Sequence, residues 1–399
     1  MPTADAWILP AGELDQSSTT AAPASAATPA PAKLVRGTID IPEPGPGEVL
    51  VAPLVGCWEG NMGHAVTRSP IDICRARGED GVVLGNAGTV RVLRCGPDVT
   101  TVEPGQKALV FGIGTSDRWG YPIGAFAYDA PGTVGVLATR TVMPQTTLIP
   151  LPDDTRYSDA QWAAFSLRYI TAWGNWHVAY PTFRVQMPEH FAPSPHVWAW
   201  GGGVSLAELD LAARHGCRSV MLASTPARLK QIETAGITPL DRTLYGDLRF
   251  DERRWSMDPE YRELYRENEK AFLAEVLQRT NGDMVQIFVD MIGGPLHRVT
   301  SKALGRQSVR TTAGWKAGMK TWTLRATDCI SRQQHINTHY ARYDQGVDAV
   351  AYAERTGWMP TPDPRLYTFD EVPELVDDYH NDCFDFFPCF QVNDETSAA

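Results

Sequence analysis

The chain has no C-x-x-C pair, no run of lysine and arginine, and no apolar stretch near the roughly 20 residues that a membrane helix needs. Each absence removes a class of function. Seven cysteines (Cys57, Cys74, Cys95, Cys217, Cys329, Cys383, Cys389) are an odd, scattered set that fits reduced thiols rather than a disulfide framework, and the usual structural zinc site has no ligands. With 36 basic residues against 47 acidic ones and a net charge of -11, nothing could neutralise a row of phosphates, so nucleic acid is not an expected partner. The N-terminus lacks a basic segment followed by an apolar core and a cleavage site, and the expectation is a cytoplasmic protein without membrane contact.

What is present points to two domains, since 399 residues exceed the roughly 250 to 300 at which single cores stop growing. Trp7 to Leu9 reads as a strand, and Gln16 to Lys33, rich in Ser, Thr, Ala and Pro, reads as a surface loop. Ile39 to Ile41, Glu48 to Ala52, Val82 to Leu84, Thr89 to Leu93 and Ala108 to Phe111 are short β elements punctuated by glycine and proline, which makes the first third all-β. From about Ser158 the pattern changes, and Asp159 to Ala179 loses its Gly/Pro punctuation and spaces apolar residues helically. Val197-Trp198-Ala199, the Gly201-Gly202-Gly203 turn, a helix from Leu206 to His215 capped by Gly216, and Ser219 to Ala223 then form a βαβ unit. Arg249 to Arg279 reads as a solvated, charged helical run, Gln286 to Asp290 as strand, and Pro360 to Val392 as a return to the first unit. Twelve Trp and thirteen Tyr are generous for this length; they read as core first and as the lining of an apolar ligand cleft second.

A glycine turn between strand and helix lets the backbone approach a pyrophosphate, while the helix N-terminus presents free N–H groups and a partial positive charge. Here it is Ala199-Trp200-Gly201-Gly202-Gly203-Val204-Ser205, with Ala199 and Ser205 at outer positions where the dinucleotide fingerprint has glycine. The second strand ends Ala223-Ser224-Thr225-Pro226-Ala227-Arg228-Leu229-Lys230, offering hydroxyls and two cations but no acid to take the ribose hydroxyls of NAD. That chemistry suits NADPH, held by Gly201, Gly202, Gly203, Val204, Ser224, Thr225, Arg228 and Lys230; the two cations also read as ordinary surface charges.

The order of parts resembles the medium-chain dehydrogenase/reductase superfamily along essentially the whole chain. Pro42 to Val51 (PEPGPGEVLV) is similar to its opening strand pair, Gly85-Asn86-Ala87-Gly88-Thr89-Val90 sits where zinc members carry GHE-x-x-G-x-V, and Leu148 to Pro152 precedes the linking helix with Thr171-Ala172. Within the superfamily, Trp198 to Ser205 is similar to the W-G-A-S-G-G-L-G of the crotonyl-CoA reductase and carboxylase/reductase branch. The charged Arg254 to Lys270 segment resembles that branch's insertion, and Thr338-His339-Tyr340-Ala341-Arg342 its S-H-F-A-N. The resemblance implies an α/β chain: a GroES-like β-rich catalytic domain over 1–165, a Rossmann NADPH-binding domain with a doubly wound parallel sheet over 166–355 that includes Thr171, and a catalytic return over 356–399. It also implies a homodimer.

The departures from that family set the chemistry. Catalytic zinc needs three protein ligands, and Asn86 and Ala87 replace the family's His and Glu, leaving Cys57 without suitably spaced partners, so no metal is expected. Without a Lewis acid, ketone chemistry of the zinc type loses its main oxyanion stabiliser. Hydride addition to an alkene conjugated with a carbonyl asks less, because charge spreads into an enolate that N–H and O–H donors can hold. Carboxylating members trap the enolate with an Asn, a Phe-Glu pair and a His; the matching positions are Cys57, Ala138-Thr139 and His339, so carboxylation is not expected and His339 is the candidate for enolate contact or proton relay. Cys57, Glu59, Asn61 and His64, with Thr139, complete the candidate catalytic set, although Gly56 to His64 reads equally as a polar turn around a buried cysteine. The expected partner is a small enoyl or enone substrate, linked to coenzyme A, to a carrier protein or to neither. Two rival readings stay open, a reductive ring closure in a specialised metabolite and an NADPH-binding protein without catalysis.

Overall fold

The computed structural model of the protein describes residues 2–12, 30–314 and 330–394. Most of the Gln16 to Lys33 tract and Cys329 lie outside the described residues. The chain divides into two compact units, one comprising Met1–Ile170 with Arg342–Ala399 and the other Thr171–Ala341.

The first unit is built on antiparallel pairing. Its largest sheet runs in the order Leu148–Pro150, Lys107–Val110, Gly88–Cys95, Glu48–Cys57, Cys389–Gln391, Leu366–Tyr367, with Thr141–Pro144 also paired to Glu48–Cys57. The central strand Glu48–Cys57 is buried at nine consecutive positions after Glu48, which explains why its sequence reads as a continuous apolar run rather than an alternation. A three-stranded sheet pairs Thr3–Pro10 with Val35–Asp40 and Gly81–Val82. The nucleotide domain expected over 166–355 takes in residues 343–355, but the helix Tyr343–Thr356 is grouped with the first unit. The cause is local packing: the Tyr343 hydroxyl donates to the Leu148 carbonyl at 2.8 Å, and the Gly346 backbone lies so near Ile149 that a Cβ would sit 2.7 Å from its Cδ1.

The second unit holds a six-stranded, wholly parallel sheet in the order Thr238–Asp241, Arg218–Ala223, His196–Trp200, Val285–Asp290, Leu304–Thr312, His335–Thr338. In chain order this is 3-2-1-4-5-6, the doubly wound arrangement whose switch point, where ligands bind, lies between its first and fourth strands. The fold class expected from the sequence is thus the one observed. Trp198 and Trp200, two residues apart, share one face of the first strand and pack on Phe272 and Phe288, so both rings are core. The charged run forms two helices, Glu252–Met257 and Pro259–Arg279, each N-capped by an aspartate, Asp251 and Asp258. Its faces are mainly solvated, but Tyr261, Tyr265, Phe272 and Val276 form a buried stripe, and Glu269 is buried with them, bridged to Lys302 and 3.4 Å from Arg298. Among the described residues no helix is long and apolar enough to cross a membrane.

Candidate functional site

Two groups of candidate residues assemble, one in each unit. In the second unit, the strand His196–Trp200 passes through the glycine turn into the helix Gly203–Arg214. Gly201 adopts φ +137°, and a Cβ there would stand 2.6 Å from Ser205 Oγ and 3.0 Å from Met291 Cβ, so only glycine fits. Ser205, in the first turn of this helix, is accommodated because its buried hydroxyl donates to the Trp200 carbonyl at 3.1 Å. Gly202 is the N-cap; no side chain caps the helix, and a Cβ on Gly202 would meet nothing within 4 Å. Uncapped N–H groups of Gly203, Val204 and Ser205 beside open space form a cradle of the kind that binds a pyrophosphate.

The neighbouring strand Arg218–Ala223 ends next to this turn, with Trp200 in register with Leu222. Thr225 caps the following helix Pro226–Thr234 by accepting from the Arg228 N–H at 3.4 Å. Ser224 is joined by a residue that no local motif singles out: Arg242, just past the third strand, donates to Ser224 Oγ at 3.3 Å. Pairing between Ala223 and Asp241 places Arg242 there, a sheet contact invisible in a linear reading. Asp241 is turned to local use, accepting from the N–H and hydroxyl of Thr243 at 2.8 and 2.7 Å, which hold its carboxyl below the ordinary value. Lys230, by contrast, points along its own exposed helix and pairs with Glu233 at 2.8 Å.

His339 follows the last strand, is buried, and lies against Gly174, where a Cβ would be 2.9 Å from its Cδ2. Thr171 is one turn earlier on the same helix as Gly174 and so shares its face. The next residue, Asn175, is fully buried, as is Glu208 on the helix that follows the glycine turn; burial pushes the Glu208 carboxyl well up, with Asn175 the one group opposing it. Neither side chain makes a hydrogen bond of normal geometry, and the burial favours the protonated form of Glu208.

In the first unit Cys57, Glu59, Asn61 and His64 do fall together, at the end of the strand Glu48–Cys57 and along the helix Gly60–Thr67. Their chemistry is less free than their proximity suggests. Glu59 is the helix N-cap yet its side chain bonds no helix N–H; its Oε2 accepts from Arg168 Nε at 2.9 Å, both side chains being buried. Arg168 also donates to the carbonyls of Trp58 at 2.6 Å and of Phe386, and lies 5.4 Å from the Phe387 ring. Burial pushes the Glu59 carboxyl up against the pull of Arg168. Burial also opposes the Arg168 charge, but Glu59, Cys57 and Tyr379 outweigh it and keep the guanidinium above its ordinary value. The Cys57 thiol is pushed well up by burial and by the thiol of Cys389. Asn61 Oδ1 is buried without a donor, and His64 is half-buried in the last turn, its carbonyl accepting from Ser69 N–H at 3.2 Å. Thr139 is elsewhere in the unit: its hydroxyl accepts from Asp5 N–H at 3.1 Å and its own N–H donates to the Asp5 carbonyl, and it lines a polar cavity of about 350 Å³ with Asp5, Arg140 and Asn393. Among the described residues no three His, Cys, Asp or Glu side chains are placed to hold a metal ion.

No family model and no curated protein matches the sequence. Solved structures match along nearly its full length. They include the crotonyl-CoA carboxylase/reductase AntE in complex with NADP, with a TM-score of 0.75 and 18% identity over 98% of this chain and 94% of that one. The 2-octenoyl-CoA carboxylase reductase CinF in complex with NADP and 2-octenoyl-CoA gives 0.79 and 17% over 99% and 89%. A thermostable alcohol dehydrogenase from Pyrobaculum aerophilum gives 0.69 and 16% over 98% and 100%. At these identities the likeness fixes architecture rather than activity: the chain has the medium-chain dehydrogenase/reductase fold, in the form shared by crotonyl-CoA carboxylase/reductases and alcohol dehydrogenases.

Proposed function

We propose that the protein is an NADPH-dependent reductase of an alkene conjugated to a carbonyl, working without zinc and without carboxylation. The observation that carries this reading is the uncapped helix beside the open face of Gly202, next to a second strand that leads into Ser224 and Thr225, with Arg242 from the end of the third strand bonded to Ser224. Those residues would hold the pyrophosphate and the 2′-phosphate, and NADP in two structures of the same fold, one also holding 2-octenoyl-CoA, supports the assignment. NADPH held there supplies the hydride. For the rest, His339 and Thr171 are the residues on hand to bear on the reacting end, His339 donating to the enolate oxygen or relaying a proton to carbon. The donor set supports a metal-free reaction: Asn86 and Ala87 replace a metal-binding pair, and Cys57 alone cannot supply the three protein ligands a catalytic metal needs. Cys57, Asn61, His64 and Thr139 are retained as candidates for substrate contact, while Glu59 is reassigned to holding Arg168. The carrier would be coenzyme A, a carrier protein or none, and a second copy would pair along an edge of the parallel sheet, where Ile336 is exposed.

The 2′-phosphate assignment makes a specific prediction. Arg242→Gln lowers affinity for NADPH about tenfold while NADH affinity is unchanged, and Lys230→Gln changes neither, as read by isothermal titration. Equal losses for both cofactors would remove Arg242 from the site. The reaction is tested with NADPH deuterated at the transferable position against short enoyl thioesters and cyclic enones. Deuterium on the β-carbon of a saturated product is expected, with His339→Gln slowing single-turnover transfer at least tenfold at unaltered NADPH affinity. Tight NADPH binding with no turnover of either class, a product with a new ring bond, or bicarbonate-derived carbon in the product would each overturn the reading.

A further inference from the structure

Two of the buried cysteines are cross-strand neighbours. Cys57 ends the strand Glu48–Cys57, and Cys389 opens the strand Cys389–Gln391; the two are in direct antiparallel register. The Trp58 N–H donates to the Pro388 carbonyl at 2.9 Å, one residue beyond Cys57 and one before Cys389, so Cys57 and Cys389 form a pair without mutual backbone hydrogen bonds. In such pairs the Cα atoms stand about 4.5 Å apart with both side chains on one face of the sheet. That separation falls inside the roughly 4.4 to 6.8 Å that a disulfide spans. The thiol of Cys389 acts on that of Cys57, and each side chain is at most 1% exposed; Cys389 Sγ also donates to the carbonyls of Phe387 at 3.5 Å and Ala160 at 3.7 Å, bonds that are given up when the disulfide closes.

We propose that Cys57 and Cys389 are a redox modification site, closing to a reversible cross-strand disulfide. Formation breaks two S–H bonds and makes one S–S bond; two electrons and two protons pass to a peroxide, which becomes two waters, or to a low-molecular-weight disulfide, which becomes two thiols. The bond ties the C-terminal strand to the strand that leads into Glu59, the N-cap held by Arg168. Burial controls its rate. A protonated thiol closed from solvent does not react, so oxidation waits for opening of the three-residue strand Cys389–Gln391, whose outer neighbour, Leu366–Tyr367, is only two residues long. Cys383, six positions earlier in the chain and exposed, has no such gate and serves as an internal control.

The full chain is treated with hydrogen peroxide, or in a second arm with oxidised glutathione, then alkylated under denaturing conditions and mapped by mass spectrometry. The expected result is a peptide pair joined through Cys57 and Cys389, lighter by two hydrogens and released by dithiothreitol. Its rate of formation levels off with rising peroxide while Cys383 oxidation stays proportional to it. The melting temperature of the oxidised protein rises by about 3 °C or more. Cys389→Ser, and independently Cys57→Ala should either variant fold poorly, removes both the joined peptide and the rise. The samples are also held in 2 M urea, where short strands open. Recovery of Cys57 and Cys389 as free thiols even there, or their capture only as sulfinic acid or as disulfides to other cysteines, would overturn the proposal.

Discussion

Gly202→Ala should fold as the wild type does and bind NADPH at least a hundredfold more weakly, a loss of about 2.7 kcal/mol. Gly201→Ala should lose both. At Gly202 a Cβ meets no atom within 4 Å, and although φ is -109°, ψ of -145° lies outside the broad β region, so alanine meets mild backbone strain but no clash. Gly is favoured over Ala at an N-cap by roughly 1 kcal/mol, which limits the expected fall in melting temperature to about 4 °C. The side that stays open is the approach to the uncapped N–H groups, and a methyl group there stands where phosphate oxygens must come. At Gly201 the same methyl group meets Ser205 Oγ and Met291 Cβ, and φ +137° is a region L side chains rarely enter. Strain of this kind costs on the order of 1 to 3 kcal/mol, with loss of the Ser205 to Trp200 bond added. Thermal melts and titration calorimetry on the pair separate fold from ligand. A Gly202→Ala protein that binds NADPH like the wild type would place the cofactor elsewhere.

The contrast between those two glycines also marks how far the sequence can be read. Strand, glycine turn, helix and strand were legible from 197 to 223 because apolar runs and glycine punctuation are local signals. The strands Thr238–Asp241, Leu304–Thr312 and His335–Thr338 were not, since they carry Pro, Asp, Arg, Gln or His and owe their conformation to neighbours in the sheet. The same limit hid Arg242, which register alone brings to Ser224. Lys230, singled out beside Arg228, belongs to a helix whose own Glu233 claims it three residues later. The polar cluster from Cys57 to His64 was visible as a cluster; what could not be seen was Arg168, more than 100 residues away, which gives Glu59 a structural task.

Removing that arginine should be the most damaging single change in the first unit. Arg168→Met deletes one partner of a buried ion pair and two donors to buried carbonyls, those of Trp58 and Phe386. Breaking such a pair by truncating one side costs about 3 to 5 kcal/mol, because the remaining charge is left in a medium that solvates it poorly. For a chain of this length the melting temperature of the affected transition should fall by roughly 10 °C. The dependence on pH follows from Glu59. Its carboxyl lies above the ordinary value of 4.5 even with Arg168 present, so the folded state holds the proton more tightly than the unfolded state does, and stability declines as pH rises from 4.5 through the folded value. Without Arg168 the carboxyl moves higher still and the decline continues further, so the variant's deficit widens between pH 5 and pH 8. Arg168→Met combined with Glu59→Gln removes the stranded charge and should recover part of the loss, most at pH 8. Chemical denaturation of the wild type and the two variants at both pH values checks this. A deficit that does not change with pH, or a double variant no better than Arg168→Met, would mean that the carbonyl bonds and the Phe387 contact, not Glu59, are what Arg168 supplies.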